Sequence, residues 1–186
     1  MSLLQMPQFG QIWLALGANA LSRHGDAEAT FYHTLRELER HNFGIFAQSR
    51  TISSPPMGPI RQPSYRNAVI GIRGSIAPAA LLRLVKRLER AAGRRLGARW
   101  GPRPLDVDIL DFGGRIIGHP ARDTRPGTLI LPHPGIPQRG FVLVPLAEAA
   151  PQWRHPILGL GAAELLARQP RLARGIVTLT PPQRAG

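Results

Sequence analysis

The chain has 186 residues and contains no cysteine. Without cysteine it can form neither disulfide bonds nor a thiolate zinc site, and it cannot use a cysteine nucleophile. It also lacks any apolar run near the roughly 20 residues that a membrane-spanning helix needs. A chain of this length normally forms one domain and buries about 70% of its extended surface, so its core can be stable without disulfide bonds or structural metal ions.

A secretory signal is poorly supported. Ile12 to Leu16 is apolar, and the following Ala18-Asn19-Ala20 resembles a cleavage site. However, no Lys or Arg precedes this apolar run, and the run is short for a signal peptide. We therefore expect a cytoplasmic protein that has no membrane partner, and we take it to be a monomer.

Acidic residues are scarce: 11 against 24 basic ones, which gives a formal net charge of +13. Such a charge is typical of nucleic-acid-binding proteins. Yet Lys86 is the only lysine, and the arginines are scattered along the chain. Abundant Ala, Gly, Pro and Arg indicate a compositional bias, so we expect an anionic substrate and no nucleic-acid partner.

Hydrophobic periodicity predicts four main strands and two main helices. The strands are expected at 11–16, 43–52, 65–73 and 105–112, and the helices at 27–41 and 78–92. The resulting order is strand, helix, strand, strand, helix, strand. It is typical of an α+β, ferredoxin-like βαββαβ sandwich, in which helices pack on a mainly antiparallel sheet. The glycines Gly113 and Gly114 predict an added hairpin that leads to Ile116 and Ile117.

The rest of the chain is expected to be less regular. Residues 53–64 contain four prolines and form a long loop, a kind that is often functional. Short helices are predicted at 141–149 and 162–168. We expect residues 1–169 to form the single domain and residues 170–186 to form a loosely ordered basic tail.

Three of the eleven acidic residues fall within the segment 106–111. Asp106 and Asp108 are two residues apart in a predicted strand, so their side chains point to the same face, about 7 Å apart. Two carboxylates so placed can bracket a pair of divalent cations, and Arg99 and Arg103 precede them. Carboxylates that bind metal, beside arginines that bind phosphate, are typical of enzymes that transfer a phosphoryl group from a nucleotide. The alternative interpretation is that Asp106 and Asp108 simply lie on an ordinary solvated face of the strand.

Other catalytic signatures are missing from the sequence. It has no glycine-rich Walker loop, no dinucleotide-binding fingerprint and no Gly-x-Ser-x-Gly elbow. Arginines and metal must therefore hold any phosphates, and arginine suits this because its planar fork binds phosphate oxygens in pairs. Among six histidines, His133 is held between two prolines, which makes it a candidate for contact with a ligand.

At this point the motifs become recognisable. The segment from Arg99 to Leu110 (RWGPRPLDVDIL) closely resembles the hallmark of the 6-hydroxymethyl-7,8-dihydropterin pyrophosphokinase family of folate biosynthesis. Further ordered segments resemble the same family: Leu16–Asn19, Ser54–Gly58, Gln62–Val69, Leu131–Pro134 and Arg139–Leu146. The order and spacing agree from about Ile12 to Pro151.

The resemblance implies a transfer of pyrophosphate from ATP to the hydroxymethyl arm of the pterin, with release of AMP. It implies that Asp106 and Asp108 hold two Mg²⁺ ions and that Arg94 and Arg103 reach the triphosphate, with Arg94 on a mobile loop. It assigns to the nucleotide side a set that also includes Arg103: Glu89, Arg99, Trp100, Ile109, His133 and Arg139. It assigns to the pterin side another set: Ser54, Pro55, Met57, Tyr65, Asn67 and Phe141.

The chemistry of these residues agrees with the implied ligands. An asparagine amide offers both a donor and an acceptor, which matches the mixed polar edge of a pterin, and aromatic rings offer flat faces for stacking. Three departures from the family pattern concern Ala18, where serine is common, Leu96, where another arginine often falls, and the length of the loop 94–98, which is one residue short. A relative that acts on another reduced pterin, and a nucleic-acid-binding module on a ferredoxin-like sheet, remain the alternatives.

Overall fold

The computed structural model describes residues 10–56, 61–94, 101–118 and 128–179. Its strands are β1 (Gln11–Ala18), β2 (Gly44–Gln48), β3 (Ile52–Ser54), β4 (Tyr65–Arg73), β5 (Asp106–Phe112) and β6 (Val177–Thr178). Its α-helices are α1 (Ala27–Arg40), α2 (Pro78–Ala91), α3 (Gly140–Ala149) and α4 (Ala162–Ala167). Short 3₁₀ helices cover Ile136–Gln138 and Pro170–Ala173.

The strands form one antiparallel sheet in the order β5-β1-β4-β3-β6, and β2 also pairs with β4. Strand β1 pairs along its whole length with β4, from Gln11 opposite Arg73 to Ala18 opposite Arg66. Strands β1 and β4 therefore lie at the centre of the sheet. The protein is a mixed α and β structure with an open antiparallel sheet.

Helices cover both faces of this sheet. On one face α1 and α2 bury Leu38 and Leu81 against alternate residues of the central strands, such as Leu14 and Ile70. On the other face α3 and α4 pack around Trp13, Val69 and Leu110. Asp106 and Asp108 lie on the α3 face, while Val107 and Ile109 point into the opposite core, as the alternation predicted.

Local signals explain where the two longest helices begin. Asp26 caps α1, because its Oδ1 accepts a hydrogen bond of 2.9 Å from the backbone N of Ala29. Pro78 occupies the first turn of α2, where its missing N–H costs nothing. The sequence placed both starts correctly. Within the described ranges, no helix is both long and apolar enough to cross a membrane.

The predicted second strand is wrong in one respect, because it is divided into β2 and β3. Between them, the Ser49 hydroxyl accepts a 2.9 Å hydrogen bond from the backbone N of Val69 and donates one to the carbonyl of Arg50. The side-chain oxygen of Ser49 thus accepts a hydrogen bond that a backbone carbonyl would accept in a continuous strand, and the strand is interrupted there. Both pieces still pair with β4.

Two further expectations differ from the structure. In place of a second hairpin strand around Ile116, the structure shows Ile117 in a single antiparallel bridge with Leu131. The first part of the predicted loose tail is regular: residues 170–173 form a 3₁₀ helix, and Val177–Thr178 pair with β3. Pairing with the exposed edge of β3 orders this segment, for which the sequence alone predicted a basic tail with little to hold it. Residues 180–186 lie outside the described ranges.

The third carboxylate of the acidic segment, Asp111, is structural. A register shift in the pairing of β1 with β5 accompanies a turn of Asp111 toward Trp153. Its Oδ2 accepts a 3.1 Å hydrogen bond from Trp153 Nε1, and its Oδ1 accepts one of 3.0 Å from the backbone N of Gly114. Burial raises the pKa of Asp111, although the hydrogen bond from Trp153 opposes this.

Candidate active site

A cavity of about 280 Å³ opens on the α3 face of the sheet, beside neighbouring ends of β1, β4 and β5. Its lining consists of Ala15, Leu16, Gly17, Ser54, Pro55, Gln62, Tyr65, Asn67, Arg103, Asp106, Asp108, Arg139 and Phe141. Most of the residues that the sequence assigned to the pterin thus line the same cavity as both carboxylates. We call this cavity the main cleft.

Strand register explains why these residues meet. Gly17 of β1 lies opposite Asn67 of β4 on one side and opposite Asp106 of β5 on the other. A Cβ atom at position 17 would come within 3.3 Å of Asn67 Oδ1. The glycine therefore leaves room between a polar amide and a carboxylate that are 39 residues apart in the sequence.

Asp106 is held by two arginines. Arg94 Nη1 contacts its Oδ1, and Arg103 Nη1 donates a 2.7 Å hydrogen bond to its Oδ2. Burial alone would raise the pKa of Asp106, but the guanidinium groups of Arg103 and Arg94 outweigh burial and hold that pKa below its usual range. Asp106 is therefore an anion at neutral pH, and it is already paired with cations.

Asp108 has a different set of neighbours. Arg139 Nη1 donates a 2.8 Å hydrogen bond to Asp108 Oδ2, and His133 Nε2 lies 3.7 Å from the same oxygen. His133 Nδ1 accepts a 2.9 Å hydrogen bond from the backbone N of Gly135, so the neutral ring carries its hydrogen on Nε2. Burial lowers the pKa of His133, against the opposing influence of Asp108.

A second cavity, of about 230 Å³, lies on the other side of Asp108. It is lined by Leu82, Lys86, Val107, Asp108, Ile109, Thr128, Leu129, Ile130, His133 and Pro134. Ile109 and His133, both expected on the nucleotide side, border this second cavity. Because Asp108 lines both cavities, it marks the point where the two predicted substrate regions adjoin.

Glu89 was expected on the nucleotide side, yet it lines neither cavity. It is only 2% exposed, and its Oε1 accepts a 2.9 Å hydrogen bond from the backbone N of Val107. The same oxygen lies 2.7 Å from Arg94 Nη1 and 2.9 Å from Lys86 Nζ. Burial raises the pKa of Glu89, while its hydrogen bond with Lys86 opposes this. Glu89 thus holds Arg94 against strand β5.

The polar part of the main cleft centres on Asn67, which is 5% exposed. Its Nδ2 donates a 2.9 Å hydrogen bond to Ser54 Oγ. An amide has two N–H groups and an oxygen, so one N–H and the oxygen suit a ligand with a mixed edge. Phe141 and Tyr65 border the same space, and the Arg139 guanidinium carbon lies 5.8 Å from the Phe141 ring centroid.

Three of the predicted site residues lie outside the described residues: Met57, Arg99 and Trp100. The predicted mobility of the loop 94–99 also concerns mostly residues outside the described ranges, although Arg94 itself is described. The sequence did not single out Asn19, whose Oδ1 accepts a 2.7 Å hydrogen bond from the backbone N of Arg103 and whose Nδ2 donates one of 2.9 Å to Gln62 Oε1. Its place in the segment Leu16–Asn19, one of the family-like segments, is the sequence signal that could have identified it.

The chemistry of the cleft fits a divalent cation that arrives with a phosphate ligand. Among the described residues, no three His, Cys, Asp or Glu side chains cluster closely enough to hold a metal by themselves. Asp106 and Asp108 offer two carboxylates on one strand face, with side chains 26% and 28% exposed. Mg²⁺ is commonly held by one or two carboxylates together with substrate phosphates, so this pair fits such an ion.

The fold and the cleft together define the class of this protein. An open antiparallel sheet between helices carries two carboxylates and three arginines beside a cleft that contains an amide. Carboxylates that can bind metal, next to arginines that can bind phosphate, are typical of phosphoryl-transfer enzymes. The chain belongs to the 7,8-dihydro-6-hydroxymethylpterin-pyrophosphokinase (HPPK) family, whose family model matches residues 13–151. The resemblance seen in the sequence motifs is thereby confirmed.

Curated relatives agree with this assignment. A protein of Pseudomonas aeruginosa named 2-amino-4-hydroxy-6-hydroxymethyldihydropteridine pyrophosphokinase is 36% identical over 160 residues, which cover 86% of this chain and 92% of the relative. A protein of the same name from Methylorubrum extorquens is 36% identical over 140 residues, which cover 75% of this chain and 82% of the relative.

A solved structure shares the fold. The crystal structure of Plasmodium falciparum HPPK-DHPS with pteroate matches with a TM-score of 0.64 at 13% sequence identity. The match covers 91% of this chain and 45% of that chain, so this protein spans less than half of the Plasmodium one. At such low identity the likeness concerns the fold alone.

Proposed function

We propose that the protein transfers a pyrophosphoryl group from ATP to 6-hydroxymethyl-7,8-dihydropterin and releases AMP, as a step of folate biosynthesis. Membership of the pyrophosphokinase family supports this reaction. The observation that carries it is the position of Asp108, which lines both the main cleft and the second cavity. A pterin in the main cleft and a nucleotide in the second cavity would meet at the carboxylate pair.

The roles of the individual residues follow from their contacts. Asp106 and Asp108 would hold two Mg²⁺ ions, which supply positive charge to the triphosphate. Arg94, Arg103 and Arg139 lie at hydrogen-bonding distance from these carboxylates, so their forks stand where phosphate oxygens would lie. These cations stabilise charge on the transferring group and orient it.

The proposed reaction is a direct transfer that needs no covalent enzyme intermediate. The pterin hydroxyl oxygen forms a bond to the β-phosphorus of ATP. The bond from that phosphorus to the oxygen that bridges it to the α-phosphorus breaks, so AMP leaves with that oxygen, and the hydroxyl proton is released to water. The chain's task is mainly to hold two substrates in line, as in other phosphoryl transfers. Asn67 and Ser54 would read the polar edge of the pterin, while Tyr65 and Phe141 would face its ring, and Pro55 and Met57 would complete that side.

A second group of residues would form the nucleotide-binding side of the site. We propose that His133, Ile109 and Arg139 contact ATP, together with Arg99 and Trp100. Glu89 would act on the nucleotide indirectly, through the Arg94 guanidinium that it touches. Lys86 borders the second cavity and joins this group on structural grounds.

The arrangement of the main strands supports a ferredoxin-like assignment of the fold. The elements β1, α1, β2, β4, α2 and β5 follow each other in the βαββαβ order, and in the sheet β4 separates β2 from β1. We further propose a cytoplasmic monomer with a single domain, acting on small molecules and without a nucleic-acid partner. We include residues 170–179 in that domain, because they pair with β3 and pack beneath α3. Any DNA binding is expected to be lost at moderate salt.

The nucleotide product tests the proposed reaction. The protein should be incubated with ATP, Mg²⁺ and hydroxymethyl-dihydropterin, and the products separated by ion-exchange chromatography. We expect AMP and pterin diphosphate in equal amounts. Release of ADP would contradict pyrophosphoryl transfer, and faster turnover with another reduced pterin would favour the alternative specificity.

Replacing Asn67 with alanine is expected to weaken pterin binding about tenfold to a hundredfold and to leave ATP binding nearly unchanged. The physical reason is that polar atoms of the ring would lose their partners in a desolvated site, which costs about 1–3 kcal/mol. Binding of each ligand is measured by calorimetry. Ser54→Ala is the matched control, since it removes the hydroxyl that Asn67 contacts but keeps the amide, and a smaller loss is expected. Equal losses of both ligands in Asn67→Ala would indicate a folding defect instead.

A further inference from the structure

The C-terminal segment 169–179, which we call the strap, lies beyond the region 13–151 that the family model matches. One end of the strap contacts the α3 side of the main cleft. Gln169 Nε2 donates a 3.0 Å hydrogen bond to the carbonyl of Pro137, and Leu172 packs against the core beneath α3. Any Cβ atom at Gly140 would overlap the backbone carbonyl of Leu172.

This contact has consequences for the cleft, because of what flanks Gly140. Its two neighbours in the chain, Arg139 and Phe141, both line the main cleft. The backbone of the strap thus lies directly against the turn that presents these two side chains. A shift of Leu172 would also move the backbone around Gly140, because no space separates the two closely packed segments.

The other end of the strap contacts the opposite wall. Val177 and Thr178 pair antiparallel with Ser53 and Ile52 of β3, and the backbone N of Leu179 donates a 2.9 Å hydrogen bond to the carbonyl of Thr51. Strand β3 has three residues; its last residue, Ser54, lines the main cleft, and so does the next residue, Pro55. So short a strand, if it paired on one side only, would be a weakly held edge.

A glycine brings the strap against the cleft wall itself. Gly175 has a φ of +72°, a conformation that favours glycine, and a Cβ atom there would come within 2.9 Å of Pro55 Cγ. Pro55 lines the main cleft. The strap therefore contacts both walls, at Pro55 and at Gly140.

We propose that the strap is a positioning element of the substrate cleft: it fixes the wall formed by Ser54 and Pro55 relative to the wall formed by Arg139 and Phe141. The width between these walls determines how well a flat ring fits. A shift of the wall at Pro55 would therefore change the affinity for the ring-bearing substrate, whereas Arg139, the proposed ATP contact, lies on the other wall. The identity of that ring as a pterin rests on the proposed function.

The test compares two variants in which a glycine with a similar positive φ is replaced by alanine, so both have a similar backbone strain. Gly175→Ala places a methyl group against Pro55, whereas Gly159→Ala, at a φ of +68°, meets no atom within 4 Å. Calorimetry is expected to show pterin affinity about tenfold lower for Gly175→Ala, with ATP affinity within about twofold of the parent, because small misplacements of binding groups have large effects. Gly159→Ala should bind both ligands like the parent.

Amide hydrogen exchange of the ligand-free protein supplies a readout that does not depend on the reaction. Exchange at Ile52 and Ser53 should be faster in Gly175→Ala than in Gly159→Ala. Leu179→Pro, which removes the N–H bonded to Thr51, provides a second variant with the same expected effects. If both Gly175→Ala and Leu179→Pro matched Gly159→Ala in pterin affinity and exchange, the strap proposal would be wrong. A parent protein that bound no pterin would refute the proposed function, while the exchange comparison would still decide whether the strap holds β3.

Discussion

Turnover is expected to fall more than about a hundredfold when either Asp106 or Asp108 is replaced by asparagine, and further in the double variant. Loss of one carboxylate would remove part of the charge proposed to hold Mg²⁺ on the triphosphate, which should cost at least about 3 kcal/mol of transition-state stabilisation. Turnover is measured as release of AMP. The two carboxylates lie on one strand face, and three arginines contact them.

The binding of ATP separates loss of metal from loss of fold. Calorimetry of ATP with and without Mg²⁺ should show that the double Asp→Asn variant has lost most of the Mg²⁺ dependence. Glu148→Gln is the control, because Glu148 also pairs with an arginine, Arg50 Nε at 2.9 Å, but lines neither cavity. That control should keep parental turnover. A double variant with turnover within about tenfold of the parent would end the two-metal interpretation of this site.

The thermal stability of the Asp106→Asn variant should also change, in a direction that the pKa fixes. The pKa of Asp106 is lowered in the folded protein, because Arg103 and Arg94 together outweigh the effect of burial. A carboxyl whose folded pKa is depressed stabilises the fold at pH values above its unfolded pKa and loses this effect as the pH falls. The variant is therefore expected to melt below the parent at neutral pH and to approach it in acid.

Arg94→Ala is expected to slow turnover by about a hundredfold while ATP affinity changes by less than about threefold. Arg94 contacts both Asp106 and the buried Glu89, so it lies beside the carboxylate proposed to hold metal. A cation placed there stabilises charge that develops on the transferring group more than charge already on bound ATP. Single-turnover kinetics and ATP calorimetry distinguish the two effects.

Two comparisons make the Arg94 result interpretable. Arg90→Ala removes the same charge from an exposed position in the last turn of α2, four residues before Arg94, and it should leave turnover intact. Arg94→Lys keeps the charge but loses the planar fork, so partial recovery would show that charge alone does part of the work. Weakened ATP binding with normal turnover in Arg94→Ala would mean that the arginine is a static clamp.

Glu89 shows where sequence reasoning was incomplete. The family pattern placed it near the nucleotide, and the structure places it behind Arg94, where it also binds the backbone N of Val107. A pattern in the sequence reports that a residue belongs to a site, but not whether it touches ligand or holds another residue in place. That distinction depends on burial, and Glu89 is 2% exposed.

The sequence by itself determined the shared face of Asp106 and Asp108, because side chains two residues apart lie on one face of a regular stretch of strand. The bulge that redirects Asp111 follows only after Ile109. It also determined the starts of α1 and α2, which follow from the local chemistry of Asp26 and Pro78, and the family, which follows from ordered motifs. Only the tertiary structure decided that Gly17 separates Asn67 from Asp106, that Asn19 binds the backbone of Arg103, and that the strap contacts Pro55 and Gly140. These contacts join residues far apart in the chain, and they depend on strand register and on packing across the whole sheet, which no local periodicity specifies.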